Sequence, residues 1–271
     1  MSRGKDMITT QQEACTLIQI SDTHLMDQVG LEFVKMDPEL SFHAVMQHIQ
    51  KQHPHLDAIV HTGDLAQVPV AETYARYLQF MQSIAVPSFQ IPGNHDDATL
   101  FPFYDNKDQA HIVHLGAWSL VLLNSAVAGK IDGWISSEQL KQLDTYLTTF
   151  AEQHIVVACH HHPFIMHSKW IDQHCLKNTE SLTDVLARHK NVKIVLCGHV
   201  HQDSCQEWQG IQFLSTPATS IQFKPHSDKF AIDNEDPGYR VLQLFKNGDF
   251  KTDVQRVNFG QEKINLKITG Y

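Results

Sequence analysis

The sequence predicts an α/β sandwich with a βαβ-rich first half and a more β-rich end. Three observations carry this reading. Apolar runs of strand length recur at 16–20, 58–61, 88–91, 155–159 and 192–197. Helical segments separate them, the pattern of βαβ units. After Cys205 the pattern changes to short strands and turns, as at 211–215 and 239–245.

In chain order, 16–20 reads as a buried strand. A helix over 38–52 follows, with Asp37 as N-cap and Pro38 in the first turn, and it stops before Pro54. Then come a strand at 58–61, a helix at 70–83 and a strand at 88–91. The middle region holds a strand at 118–123 and a helix at 136–150, where Ser136 and Gln139 have capping-box spacing. The strands at 155–159 and 192–197 bracket a helix near 181–189. No repeat, low-complexity tract or linker interrupts the chain. The expected organisation is therefore one domain over 15–258, an N-terminal arm over 1–14 and a C-terminal tail over 259–271. Met36, Leu40 and Val45 are assigned to the buried surroundings of the first helix. His43, His48, His53 and His55 lie on or after that helix without a carboxylate partner pattern and read as surface residues.

With 271 residues, the chain is long enough for a large core. The formal net charge of -9 argues against a sequence-independent grip on a nucleic acid polymer, which needs a basic surface. It leaves room for a small anionic substrate, because bound metal ions supply local positive charge. No apolar run reaches the ~20 residues of a membrane span, so no membrane partner is expected. The first 13 residues lack the apolar core of a signal peptide. The five cysteines are scattered and form no C-x-x-C pair, and Cys15, Cys159 and Cys197 sit in apolar runs as buried thiols. A cytoplasmic location is expected. The sequence carries no signal for oligomeric state.

Each of the five strand-length runs is followed at once by a polar cluster. These are Asp22-Thr23-His24, Gly63-Asp64, Gly93-Asn94-His95-Asp96, His160-His161-His162-Pro163 and Gly198-His199-Val200-His201. Loops at the carboxyl ends of strands in an open α/β sheet share one edge, where ligands bind. Asp, Asn and His offer oxygen and imidazole nitrogen, donors suited to divalent Mn, Fe or Zn. The alternation in Asp22-x-His24 and His199-x-His201 predicts an extended loop with both side chains on one side. Gly63, Gly93 and Gly198 allow tight turns. Alone, an Asp-x-His is an ordinary polar turn and a Gly-Asp carries almost no information. The ordered set, each member after its own strand, points to a metal centre.

The series D-x-H, G-D, G-N-H-D, H-H, G-H-x-H resembles the calcineurin-like metallophosphoesterase superfamily. Trp170-Ile171-Asp172-Gln173-His174, Gln222-Phe223-Lys224-Pro225-His226 and Leu196-Cys197-Gly198-His199-Val200-His201-Gln202 resemble the class III 3′,5′-cyclic AMP phosphodiesterases of bacteria. The resemblance runs from about Leu17 to about Arg256. It implies an αββα sandwich with a two-metal site at the carboxyl ends of strands. One ion falls to Asp22, His24, Asp64 and His201, the second to Asp64, Asn94, His160 and His199, with Asp64 bridging. Iron or manganese is expected, with zinc as the alternative. His24, Asp64, Asn94 and His201 also face the substrate, together with His95, which is no ligand in this pattern and is the candidate catalytic acid. His160 is taken as the ligand of the triple histidine because it comes first after the strand. His161 is then an outer or substrate-side partner, and His162 structural.

Two divalent ions bring four positive charges, and Asp22, Asp64 and a bridging hydroxide bring three negative ones. The remaining single positive charge suits a phosphodiester monoanion. The implied reaction is hydrolysis of the small-molecule cyclic nucleotide 3′,5′-cyclic AMP to 5′-AMP by attack of that hydroxide. The alternatives are a broader phosphodiesterase or phosphatase acting on 2′,3′-cyclic nucleotides, glycerophosphodiesters or phosphoproteins, and a metal-free scaffold. A scaffold predicts eroded ligands, and none is eroded. Asp96 either hydrogen-bonds a ligand histidine or is a solvent-facing turn acid. Trp170, His174 and Asn178 form a polar-aromatic loop that stacks a base, closes as a lid or simply packs. Phe223 and His226 divide the same way.

Overall fold

The computed structural model describes residues 14–103 and 106–258. Residues 1–13 of the expected arm over 1–14, and the expected tail over 259–271, lie outside the described residues. Ala14, assigned to the arm, is instead the first residue of a strand.

The elements in order are β1 (Ala14–Ile20), α1 (Pro38–Gln52), β2 (Ala58–His61), α2 (Ala71–Gln82), β3 (Ser88–Gln90), β4 (His111–Leu115), β5 (Trp118–Leu122), α3 (Ser137–Thr149) and β6 (His154–Ala158). Then follow α4 (Lys169–Asp172), α5 (Thr179–Leu186), β7 (Val192–Cys197), β8 (Ser204–Trp208), β9 (Ile211–Ser215), β10 (Gln222–Phe223), β11 (Ile232–Asp233), β12 (Gly238–Phe245) and β13 (Phe250–Arg256). One sheet has the order β13-β12-β1-β2-β3 and the other β4-β5-β6-β7-β9-β8, while β10 and β11 form a separate hairpin. β1, β2 and β3 run parallel, as do β5, β6, β7 and β9. The outer pairs β12–β13, β4–β5 and β8–β9 are antiparallel.

Alternation along the strands builds the four layers of an αββα sandwich. Leu17, Val60, Leu120, Val156, Leu196 and Leu242 pack in one buried cluster between the sheets. Their neighbours face outward: Ile18 and Ile59 meet Phe42, Val45 and Tyr77 of α1 and α2. On the other side Val121, Val157 and Val195 meet Leu143 and Leu147 of α3 and Leu182 of α5. The parallel strands are thus apolar on both faces, which is why they read as continuous apolar runs.

Asp37 caps α1 as expected, accepting from the Glu39 and Leu40 amides at 2.9 and 3.1 Å. Leu40 itself is 60% exposed, contrary to expectation, because the buried stripe of α1 runs through Phe42, Val45, Met46 and Ile49. His43, His48 and His53 are not plain surface residues. His43 lies flat on Phe80 at 4.1 Å, and His48 and His53 each sit 3.1 Å from the Tyr239 hydroxyl. Only half of the expected capping box forms at α3: Ser136 Oγ accepts from the Gln139 amide, but the Gln139 side chain pairs with the backbone of Asn124 at 2.7 and 2.9 Å. Among the described residues, no helix is long and apolar enough to cross a membrane.

Leu120 is fully buried between the sheets. Leu120→Ala is expected to lower the unfolding free energy by about 2–5 kcal/mol, measured by denaturant titration, since two packed sheets close poorly around a cavity.

Candidate metal centre

Five loops leave the carboxyl ends of β1, β2, β3, β6 and β7 and meet where the two sheets come together. Backbone bonds hold the first two in register: the Asp22, His24 and Leu25 amides donate to Gly63, Asp64 and Leu65 carbonyls at 3.0–3.1 Å. Across the sandwich, Gln19 Nε2 donates to the Cys197 carbonyl at 3.0 Å, and within the second sheet the Gly198 amide donates to the His160 carbonyl at 3.0 Å, joining the loops after β7 and β6. The backbone approaches closely at two glycines. A Cβ on Gly198 would lie 2.1 Å from Ser21 Oγ and 2.8 Å from the Thr62 carbonyl oxygen. One on Gly93 would lie 2.1 Å from Asp64 Oδ1 and 2.4 Å from the Asp64 nitrogen.

The structure brings Asp22, His24, Asp64, Asn94, His160, His199 and His201 together. His201 Nε2 is 3.3 Å from Asp22 Oδ1 and 3.2 Å from His24 Nε2. His160 Nε2 is 3.3 Å from both Asp64 Oδ2 and Asn94 Oδ1. Asp64 Oδ2 is also 3.8 Å from His24 Nε2, so this carboxylate stands between the two groups.

Three histidines have their inward nitrogen chosen for them. His160 Nδ1 donates to the Thr62 carbonyl and His201 Nδ1 to the Ile221 carbonyl, each at 2.7 Å. His24 Nδ1 is 2.8 Å from Gln67 Oε1. With Nδ1 held by an outward hydrogen bond, it is each Nε2 that faces the centre, where a cation that displaces any proton there meets its lone pair. Among the described residues, buried His199 Nε2 has no hydrogen-bond partner, and the His199 amide donates to Asp22 at 3.1 Å. By contrast both ring nitrogens of His161 are engaged, with Ser125 Oγ at 2.8 Å and the Ile131 carbonyl at 3.0 Å. His162 stacks on His199, its Nε2 3.7 Å from Asp172.

The extended loops expected from the Asp-x-His and His-x-His alternation do not form. Asp22, His24, Asp64, His199 and His201 all have positive φ, between 48° and 67°. The chain must turn sharply off each strand end to aim these side chains back over it, and Asp and His tolerate this region better than most residues. Such strain costs of order 1–3 kcal/mol per residue and persists only where surrounding bonds over-determine it.

The electrostatics call for positive charge. Burial pushes the Asp22 carboxyl up, but the charge and hydrogen bond of His201 outweigh it and leave the group below its usual range. Burial opposes Asp64 ionisation too, yet His160 and His95 hold it well below that range. His160 is raised to about 9, Asp64 overcoming burial, whereas burial takes His24 down to about 3. Two sequestered carboxylates, a carboxamide oxygen, inward imidazole nitrogens and an orphaned His199 Nε2 together fit a pair of divalent first-row ions.

The remaining candidates divide. The His95 amide donates to Asp64 Oδ1 at 2.8 Å, and its ring stands edge-on to His24 at 4.9 Å. Asp96 does not serve as a histidine partner or a solvent-facing acid. Its oxygens accept from the Leu65, Ala66 and Gly93 amides at 2.9–3.2 Å and from the Tyr74 hydroxyl at 3.1 Å, clamping two of the loops together. Phe223 is buried flat against His201, ring centroids 3.9 Å apart, so it buttresses that ring and offers no exposed face. His226 is exposed in the turn after β10. Asn178 pairs with the Ile135 backbone in both directions. Trp170 and His174 line a cleft beside the centre. Sequence reasoning missed His61, buried beneath Gly63 and bonded to Thr23 Oγ1 and the Gly63 amide. Its signal was a histidine inside an apolar strand.

The calcineurin-like phosphoesterase profile matches residues 15–203. A 3′,5′-cyclic adenosine monophosphate phosphodiesterase CpdA of Haemophilus influenzae is 37% identical over 259 residues, covering 94% of each chain. The protein of that name from Escherichia coli K12 is 36% identical over 89% of both chains. A 3′,5′-cyclic-nucleotide phosphodiesterase of Nostoc is 33% identical over 90% of this chain and 93% of that one. Among solved structures, a yellow lupin purple acid phosphatase shares the fold at TM-score 0.66 and 15% identity, covering 93% of this chain and 53% of that one. A dimetal phosphatase from Danio rerio does so at 0.57 and 16%, covering 90% and 99%.

Because Asp64 occupies the place a Gly93 side chain would need, Gly93→Ala is expected to displace that carboxylate. Elemental analysis of the purified, metal-loaded variant should then show a clear loss of bound metal while circular dichroism retains the fold.

Proposed function

The chain belongs to the calcineurin-like phosphoesterase family, and on that premise we propose that it is a dinuclear metal-dependent phosphodiesterase that hydrolyses 3′,5′-cyclic AMP to 5′-AMP. The observation that carries the reading is the convergence of seven oxygen and imidazole donors with Asp64 between two groups of them. In this reading Asp22, His24, Asp64 and His201 hold one ion, and Asp64, Asn94, His160 and His199 the other. The ions are iron or manganese, with zinc as the alternative. When bound, the pair lowers the pKa of a water to give a nucleophile near neutral pH and neutralises charge on the phosphoryl oxygens. The substrate follows from the relatives named above, which match this chain nearly end to end. A cytoplasmic location accords with five free cysteines, which suit a reducing compartment.

The chain's own residues then have separable tasks. The Nδ1 bonds of His24, His160 and His201 hold their rings with Nε2 turned inward, so the imidazoles need not rotate to reach the ions. His24, Asp64, Asn94 and His201 border the phosphate together with His95. The His95 imidazole is placed by its own amide, which is bonded to Asp64. Its ring lines the cleft next to Asn94. From there it donates a proton to the departing ribose 3′ oxygen, a secondary alkoxide that leaves poorly without one.

Asp64→Ala is expected to lose both metals and more than roughly 100-fold in kcat/KM on cyclic AMP, beyond the 10–100-fold typical when only an outer partner is removed. An Asp64→Ala protein with two metals and full activity would overturn the assignment. His95→Ala should keep both metals and lose ~10²–10⁴-fold in kcat on cyclic AMP, with a smaller loss on bis(p-nitrophenyl) phosphate, whose leaving group needs little protonation. Equal losses on the two substrates would reject the acid role.

A further inference from the structure

A cleft of about 370 Å³ opens directly off the metal centre, its inner end formed by Asn94, His95 and His199. That volume lies within the range of small-molecule sites. Its outer walls come from parts of the chain that the centre does not use. One wall is the turn carrying Gly129, Lys130 and Ile131. The other is α4, with Trp170 and Ile171, joined by His174 and Phe230.

Both walls are tied down. The Ile131 carbonyl accepts from His161 Nε2 at 3.0 Å, fixing the first wall to the residue beside His160. The Lys130 amide closes the turn on the Val127 carbonyl at 3.0 Å. The Asp172 carboxylate accepts from the Met166 and Ser168 amides at 2.6 and 3.1 Å, anchoring α4. The Ser227 amide donates to Ser168 Oγ at 3.1 Å, joining the Phe230 segment to α4. Trp170 stands edge-on to Phe223 at 4.9 Å and to Phe230 at 5.1 Å. Yet Ile131 is 53% exposed at this wall, an apolar residue held in place facing solvent.

Resting on the phosphodiesterase reading above, we propose that this cleft is the nucleobase subsite, in which a purine is held by apolar contact between Ile131 on one side and the Trp170–Phe230 wall on the other. A phosphate at Asn94, His95 and His199 places the rest of a nucleotide in the continuous space beyond them. That space is walled by aliphatic and aromatic carbon, the surface that a planar heterocycle covers well. Its own polar side chains are Lys130, which is exposed, and His174. A site of this composition binds a base by area and discriminates little between base edges, because strong rejection needs buried polar groups that the wrong base leaves unpaired.

The test compares cyclic AMP with ribose 3′,5′-cyclic phosphate, which undergoes the same ring opening without a base. Ile131→Ala is the first variant, since the Ile131 side chain is largely outside the core and its carbonyl bond survives. The ratio of kcat/KM on cyclic AMP to that on the abasic ester is expected to fall roughly 5- to 30-fold, the loss for removing most of an aliphatic side chain's burial. Trp170→Ala, with metal content measured because of its contact with Phe223, should lower the same ratio. An unaltered ratio in both variants overturns the subsite. Cyclic AMP and cyclic GMP should be turned over within about 100-fold of each other by the unaltered enzyme, and rejection of guanine by ~10⁴-fold would overturn binding by contact alone. An enzyme that cleaves neither cyclic AMP nor the abasic ester would instead refute the phosphodiesterase reading on which the subsite rests.

Discussion

Asp22 and Asp64 are both sequestered from water, and burying a carboxylate costs several kcal/mol unless opposite charge and hydrogen bonds meet it. Much of the surrounding architecture answers that requirement. The His199 amide points at Asp22 and the His95 amide at Asp64. Imidazoles of His201, His160 and His24 crowd the same two carboxylates. The five left-handed residues follow from this, because only a sharp turn off each strand end presents side chain and amide to the same small volume. A divalent ion pair completes the arrangement that the carboxylates demand.

The sandwich makes that density of polar groups tolerable. Two sheets with apolar interiors abut at their carboxyl ends, and the bonds from Gln19 and His160 cross between them there. Gly93 and Gly198 allow backbone to lie where a side chain would otherwise separate the loops. The stability of the hydrophobic layers offsets the local strain, a common division between scaffold and site.

The central strands were legible because burial on both faces leaves a continuous apolar run, as in the sequence of β6 and β7. The antiparallel strands β4 and β13 were not identified, since their polar and apolar residues are mixed and β13 sits at the sheet edge. The residues gathered at the centre were legible from their place after strands. Their backbone conformation was not, because period-two alternation looks the same whether a loop is extended or turns left-handed. Leu40 shows a similar limit: apolar character alone does not say on which side of a helix stripe a residue falls. The cleft walls at Lys130, Ile131 and Phe230 left no local pattern, as contributions from two distant segments become adjacent only in the folded chain.

The Asp96 clamp has a dynamic consequence. One carboxylate accepts amide protons from the loop after β2 and the loop after β3, with Tyr74 of α2 bonded to the same group. Neither loop can swing away without breaking bonds that also restrain the other. The amides of Leu65, Ala66 and Gly93 therefore belong to one cooperative unit, and their hydrogen exchange proceeds through a shared opening. Asp64 and Asn94, carried by those two loops, keep a constant separation through the fast fluctuations of the surrounding surface.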